Sequence, residues 1–123
     1  MQYRRFGKTN RSVSEIGYGM WGLAGWTGTD QNEVQRALDR SVELGVNFFD
    51  TAWGYGAGKS EQILGALLRQ HRDKHLVFAT KIPPMNFKWP SLPGFQLKDC
   101  FPAKHIVEYT EKSLKNLGVE QID

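Results

Sequence analysis

The sequence predicts an α/β protein: a partial (β/α)8 TIM barrel, with an N-terminal hairpin and about three and a half strand–helix units. Two observations carry this expectation. Along residues 17–123, short apolar runs alternate with segments of helical periodicity, the order that a parallel sheet with crossover helices requires. The segments ELGVNFFD (43–50) and NLGVEQID (116–123) also echo each other two units apart, each passing from a helix end through Leu-Gly-Val to a final Asp. The chain has 123 residues, whereas a complete barrel needs about 250. Residues 1–123 therefore read as the N-terminal half of a single barrel domain, with the remainder absent. The alternative is a complete small doubly wound domain; the strand-like ending QID counts against it.

Each element has a local reason. Residues 2–16 read as two short strands around a turn supplied by Gly7 and Asn10. SEIGYG reads as a short buried strand closed by glycines, and LAGWTGT as a loop. Asp30 is the expected N-cap of the first helix, with Glu33 three residues on. Val34, Ala37, Leu38 and Val42 form its inward stripe, and Gly45 stands where a helix C-cap belongs. VNFFD is the next strand. A second helix is expected from Ser60, read as its cap after a solvated Lys59, with Ile63, Leu64, Leu67 and Leu68 inward. LVFATKI is the following strand, stopped by Pro83 and Pro84. Residues 83–101 read as one long loop of the kind that lines or covers a site. Pro102 opens the last helix, with Ile106, Tyr109, Leu114 and Leu117 inward, Gly118 closes it, and VEQID begins a further strand.

Composition narrows the function classes. Hydrophobic residues make up 40% and charged residues 24% of the chain, the balance of a globular protein. The net charge of +3 is spread along the sequence, so no nucleic-acid partner is expected. No apolar run is long enough to span a bilayer, and no membrane partner is expected. The single cysteine, Cys100, precludes an internal disulfide and fits a reducing, cytoplasmic compartment. No metal site is assigned.

Two nucleotide-binding motifs come close and fail. Gly58-Lys59-Ser60 ends like a P-loop, but the glycine that should stand at position 53 is Trp53. GYGMWG (17–22) matches G-x-G-x-x-G, but the segment after it has no helical period to face a pyrophosphate.

An acid/base site reads better. Asp50 ends one predicted strand and Lys81 lies near the end of the next, each on a largely apolar face. Barrel enzymes keep their chemistry at these carboxyl ends, and burying either charge alone is costly, so the two should pair. A structural ion pair is the alternative. Tyr55 follows Asp50 in a turn whose glycines, Gly54 and Gly56, free the backbone to place it. An ammonium beside a phenol stabilises phenolate and makes the phenol a better proton donor.

With these residues in view, the sequence resembles the aldo-keto reductases. The resemblance rests on YRRFGKTNRSVSEIGYGMWG, GVNFFDTAWGYGAGKSEQILGALL, VFATKI and SLKNLGVEQID, in the family's order and over nearly the whole chain. It implies a barrel that binds NADPH (or NADH) without a Rossmann domain and transfers hydride reversibly to a small aldehyde or ketone. It implies that Tyr55 donates the proton, Lys81 assists it and Asp50 holds Lys81. Gly19, Met20 and Trp21 resemble the family's segment beside the nicotinamide, with Asp50 also on the cofactor side, and Trp21 and Trp53 would be pocket walls. The family's site histidine lies shortly beyond the Asp that Asp123 resembles, and His71, His75 and His105 do not fill its place. The 123 residues alone are therefore expected to be inactive, and to associate with the missing barrel half or with themselves through an exposed strand edge. A non-catalytic nicotinamide-binding subunit is the rival reading, because GAGKSE is similar to the matching segment of potassium-channel beta subunits.

Overall fold

In a computed structural model that describes residues 1–25, 28 and 30–123, β1 (Tyr3–Arg5) and β2 (Ser12–Ser14) form the expected antiparallel hairpin. Gly7 and Asn10 both take positive φ in its turn. The hairpin is fastened to the amino end of the next sheet. Ser14 and Asn47 exchange hydrogen bonds of 2.7 and 3.1 Å, Asn47 also donates to Ser12 O, and Phe6 packs on Phe48 at 5.1 Å.

The main sheet is parallel, with β3 (Tyr18–Gly19), β4 (Phe48–Asp50) and β5 (Val77–Ala79) in that order. It is an open sheet of three strands, not a closed barrel. The strands are shorter than the apolar runs implied. β3 is only two residues long, with Tyr18 half-buried and Gly19 exposed, and so is not the buried strand expected. Its successor is a 3-10 turn over Trp21–Ala24; the rest of the expected loop falls partly on residues 26, 27 and 29, outside the described residues.

Helix α1 (Gln31–Glu43) connects β3 to β4, and α2 (Lys59–Gln70) connects β4 to β5. Asp30 caps α1 by accepting from the backbone N–H groups of Asn32 (2.6 Å) and Glu33 (3.3 Å). Val34, Leu38 and Val42 face inward as expected, but Ala37 is exposed and Ser41 takes the fourth inward place. The start of α2 differs from expectation. Gly58 in the left-handed conformation is the N-cap, Lys59 is the first helical residue, and Ser60 is inside the helix. Ser60 is fully buried; its hydroxyl accepts from Thr51 Oγ1 (2.7 Å) and donates to Met20 O (3.1 Å).

Residues 83–101 contain one short helix, α3 (Leu97–Cys100), before α4 (Ala103–Leu117). The inward row of α4 is His105, Tyr109, Ser113 and Leu117, one residue every four. Ile106 is 40% exposed instead, because His105 occupies the inward position and bonds Pro83 O at 2.7 Å. After α4, residues 119–123 do not form the expected strand. They lie beside β5 through a side chain: Asp123 Oδ2 accepts from Phe78 N at 3.2 Å, and Arg11 pairs with the same carboxylate.

The core lies between the outer face of the sheet and the helices. Phe49, Met20, Leu38, Leu64, Leu67 and Leu117 are fully buried there. Each such side chain contributes about 1.5–3 kcal/mol by leaving water. Among the described residues, no helix is long and apolar enough to cross a membrane.

Candidate active site

Strand register builds the site. Gly19, Asp50 and Ala79 stand side by side at the carboxyl ends of β3, β4 and β5. The pairing continues past the strands: Met20 N donates to Asp50 O, Thr51 N to Ala79 O, and Trp53 N to Lys81 O, all within 2.9–3.1 Å. This ladder carries Lys81 to a position beside Asp50, where its ammonium donates to Asp50 Oδ1 (2.5 Å) and to Thr51 O (2.9 Å). Its third N–H has the Tyr55 hydroxyl oxygen 3.5 Å away. The ammonium also lies 5.1 Å from the centre of the Tyr55 ring.

The expected burial of this pair does not hold. The side chains are 50% (Lys81) and 42% (Asp50) exposed, so solvent offsets much of the cost of the charges. The mouth of the sheet is open at this point, and the pair is held by hydrogen bonds instead of desolvation.

Tyr55 is positioned by a tight reversal. Its N–H donates to Ala52 O, Gly58 N donates to Trp53 O, and Ser60 N donates to Tyr55 O. Gly56, Ala57 and Gly58 all take positive φ, and a Cβ at Gly56 would lie 2.8 Å from Ala24 Cβ. Gly56 therefore serves this turn through its geometry, while Gly54 has open space around it and ordinary φ.

The remaining predicted residues divide. Trp21 and Trp53 line, with Tyr55 and Lys81, a cleft of about 760 Å³. Gly19 is exposed at the end of β3. Met20 is not a cleft residue: its side chain is fully buried in the core, its N–H is bonded to Asp50 O and its carbonyl accepts from Ser60. Two of the three histidines are engaged elsewhere, His71 with Asp39 at the end of α2 and His105 with Pro83 O.

Several cleft residues were not assigned from the sequence. Phe87, Trp89 and Phe101, all from the 83–101 loop, add to its wall. Trp53 packs edge-on against Tyr109 of α4 at 4.7 Å, and Phe87 lies 6.2 Å from both rings. The richness of this loop in Trp, Phe and Pro was the one available signal. Among the described residues, no group of three or more His, Cys, Asp or Glu could hold a metal ion.

Fold and site together define a class: a β/α-barrel architecture, present in part, with an Asp–Lys–Tyr constellation where parallel strands end. The chain belongs to the aldo/keto reductase family, whose model matches residues 15–123. It is 37% identical to a probable voltage-gated potassium channel subunit beta of Arabidopsis thaliana, covering all of this chain and 36% of that protein. It is 32% identical to the aldo-keto reductase YhdN of Bacillus subtilis, with the same coverages. Among solved structures it resembles the holo form of aldo-keto reductase AKR11C1 from Bacillus halodurans. There the TM-score is 0.77 and the identity 34%, over all of this chain and 38% of that one. The chain thus spans little more than a third of these relatives' length.

Proposed function

We propose that these residues form the amino-terminal part of an oxidoreductase that reduces small aldehydes or ketones to alcohols with NADPH or NADH, reversibly. The observation that carries this reading is the Lys81 ammonium, which bridges Asp50 Oδ1, Thr51 O and the Tyr55 hydroxyl at one end of the cleft.

Tyr55 gives its hydroxyl proton to the carbonyl oxygen as that oxygen gains charge. Lys81 stabilises the negative charge left on the Tyr55 oxygen, and Asp50 with Thr51 O holds the ammonium in place. The 3.5 Å separation is long for a hydrogen bond, as expected before substrate tightens the site.

The residues present fit the nicotinamide end of the cofactor, with a wide cleft flanked by Trp21 and Tyr55 and with Gly19 and Asp50 at the strand ends. The cofactor, when bound, supplies the hydride. Among the described residues, Lys81, already bonded to Asp50, is the one cation in the cleft wall, so the cofactor's phosphates would be held by other parts of the complete barrel. The lone thiol, Cys100, is buried and unpaired, in keeping with a cytoplasmic setting.

In the complete protein, Tyr55→Phe should lower carbonyl reduction about 10²–10⁴-fold while leaving cofactor binding nearly intact. Unchanged turnover would sink the assignment. The similarity to a channel beta subunit favours a second reading, a nicotinamide-binding subunit that regulates without catalysis. Steady-state NADPH oxidation by small aldehydes supports the enzyme; tight cofactor binding without turnover supports the regulator.

A further inference from the structure

Phe87 has φ of +52°, a conformation that a bulky side chain rarely adopts. Such backbone is strained and persists only where its surroundings hold it. Here the surroundings do so from both sides. Phe87 N donates to Pro84 O (2.9 Å), Lys88 N to Asn86 Oδ1 (3.0 Å), and Met85 N to Cys100 O (2.7 Å). The ring so placed lies 6.2 Å from Trp53 and from Tyr109, yet Phe87 remains 60% exposed. A strained aromatic that is not used to fill the core is turned towards the cleft it lines.

Ring contacts and a hydrogen bond tie the wall behind it together. Trp53 meets Tyr109 edge-to-face at 4.7 Å, Tyr109 lies 4.4 Å from the His105 ring, and His105 bonds Pro83 O. A helix face is thereby locked to both ends of the wall, the turn after β4 and the loop after β5. Tyr55 and Lys81 bring a hydroxyl and an ammonium to the cleft, and Trp53, Phe87, Trp89 and Phe101 make an aromatic flank.

We propose that this flank selects substrates whose carbonyl or hydroxyl group is borne on a planar aryl body, with Phe87 the residue that determines the preference and Tyr109 the residue that positions the wall. The inference rests on the proposed carbonyl chemistry for the role of Tyr55 and Lys81. Among the described residues, the polar side-chain groups of the lining are the Tyr55 hydroxyl, the Lys81 ammonium, already paired with Asp50, and the indole N–H groups of Trp21, Trp53 and Trp89, few for a polyhydroxylated chain.

The test is binding, so that it stands apart from turnover. Calorimetric titration of the complete protein with 2-naphthalenemethanol, cyclohexylmethanol and xylitol should rank them in that order, the naphthyl alcohol about tenfold tighter than the cyclohexyl one. Phe87→Gly should raise the naphthyl Kd about tenfold without lowering Tm, since glycine relieves the backbone, and Phe87→Tyr should restore binding. Tyr109→Leu should weaken naphthyl binding while leaving xylitol unaffected. Equal affinity for the two apolar alcohols, no saturable naphthyl binding, or an unchanged Kd in Phe87→Gly would each overturn the proposal. None of these outcomes bears on the Tyr55→Phe result, which tests the reaction itself.

Discussion

At the scale of single residues, the site depends on how three N–H donors of Lys81 are shared. Two are committed to Asp50 and Thr51 O, so the third is directed by default to the Tyr55 oxygen. If the proposed reaction holds, Lys81→Met should reduce carbonyl reduction by the complete protein about as much as losing a general acid does, 10²–10⁴-fold, with a smaller change in KM, measured by steady-state kinetics. The buried Thr51–Ser60–Met20 chain of hydrogen bonds links β3, β4 and α2 directly beneath that constellation. Ser60→Ala leaves the Thr51 hydroxyl without its acceptor and should cost about 1–3 kcal/mol, read from urea unfolding. Sequence spacing pointed to Asp50 and Lys81 because strand ends are visible as polar residues closing apolar runs, and to Tyr55 because Gly54 and Gly56 flank it in the turn after Asp50. It misplaced Ser60, because a serine at a helix start looks the same whether its hydroxyl caps the helix or ties it to a neighbouring strand.

Among the elements, α2 and α4 approach closely. A Cβ added at Gly65 of α2 would lie 2.6 Å from Leu117 O and 2.9 Å from Asn116 O, both backbone atoms at the end of α4. Glu61 of α2, fully buried, accepts from Asn116 Nδ2 (2.8 Å) and from Thr80 Oγ1 (2.7 Å), and so joins the same helix end to the residue before Lys81. Gly65→Ala should then destabilise by about 1–3 kcal/mol in spite of alanine's better helix propensity, measured by chemical denaturation. The α1–α2 contact is polar in part. Burial tends to raise the Asp39 carboxyl, but hydrogen bonds from His71, Gln70 and Gln35 prevail and hold it below the usual carboxylate value. A carboxyl depressed by folding contributes stability that is present above its unfolded pKa and lost as pH falls through the folded one. Wild type should thus lose Tm more steeply than Asp39→Asn below about pH 4, in melts taken across the acid range. Nothing in residues 31–43 or 59–71 alone specifies which of their polar side chains will meet; the helix periods give faces, and only packing pairs one face with another.

At the scale of the whole molecule, the three-stranded sheet has two outer edges, and the exposed side chains include Ile16, Trp21, Trp89 and Leu97. Edges of this kind recruit partners. The isolated chain should sediment as a concentration-dependent mixture, and nicotinamide cofactor should bind it more weakly than micromolar; a monodisperse monomer or micromolar NADPH binding would contradict these two expectations respectively. The amino-acid sequence by itself determined the hairpin, the order of the main helices, the parallel sheet and the meeting of Asp50, Tyr55 and Lys81, because periodicity, glycine and proline stops and strand ends are local properties. Tertiary structure alone decided that Met20 belongs to the core, that Lys81 and Asp50 meet in the open, and that Trp53, Phe87 and Tyr109 form one wall. Those outcomes depend on strand register and on contacts between segments far apart in the chain, and no local pattern encodes which distant side chain will fill a given space.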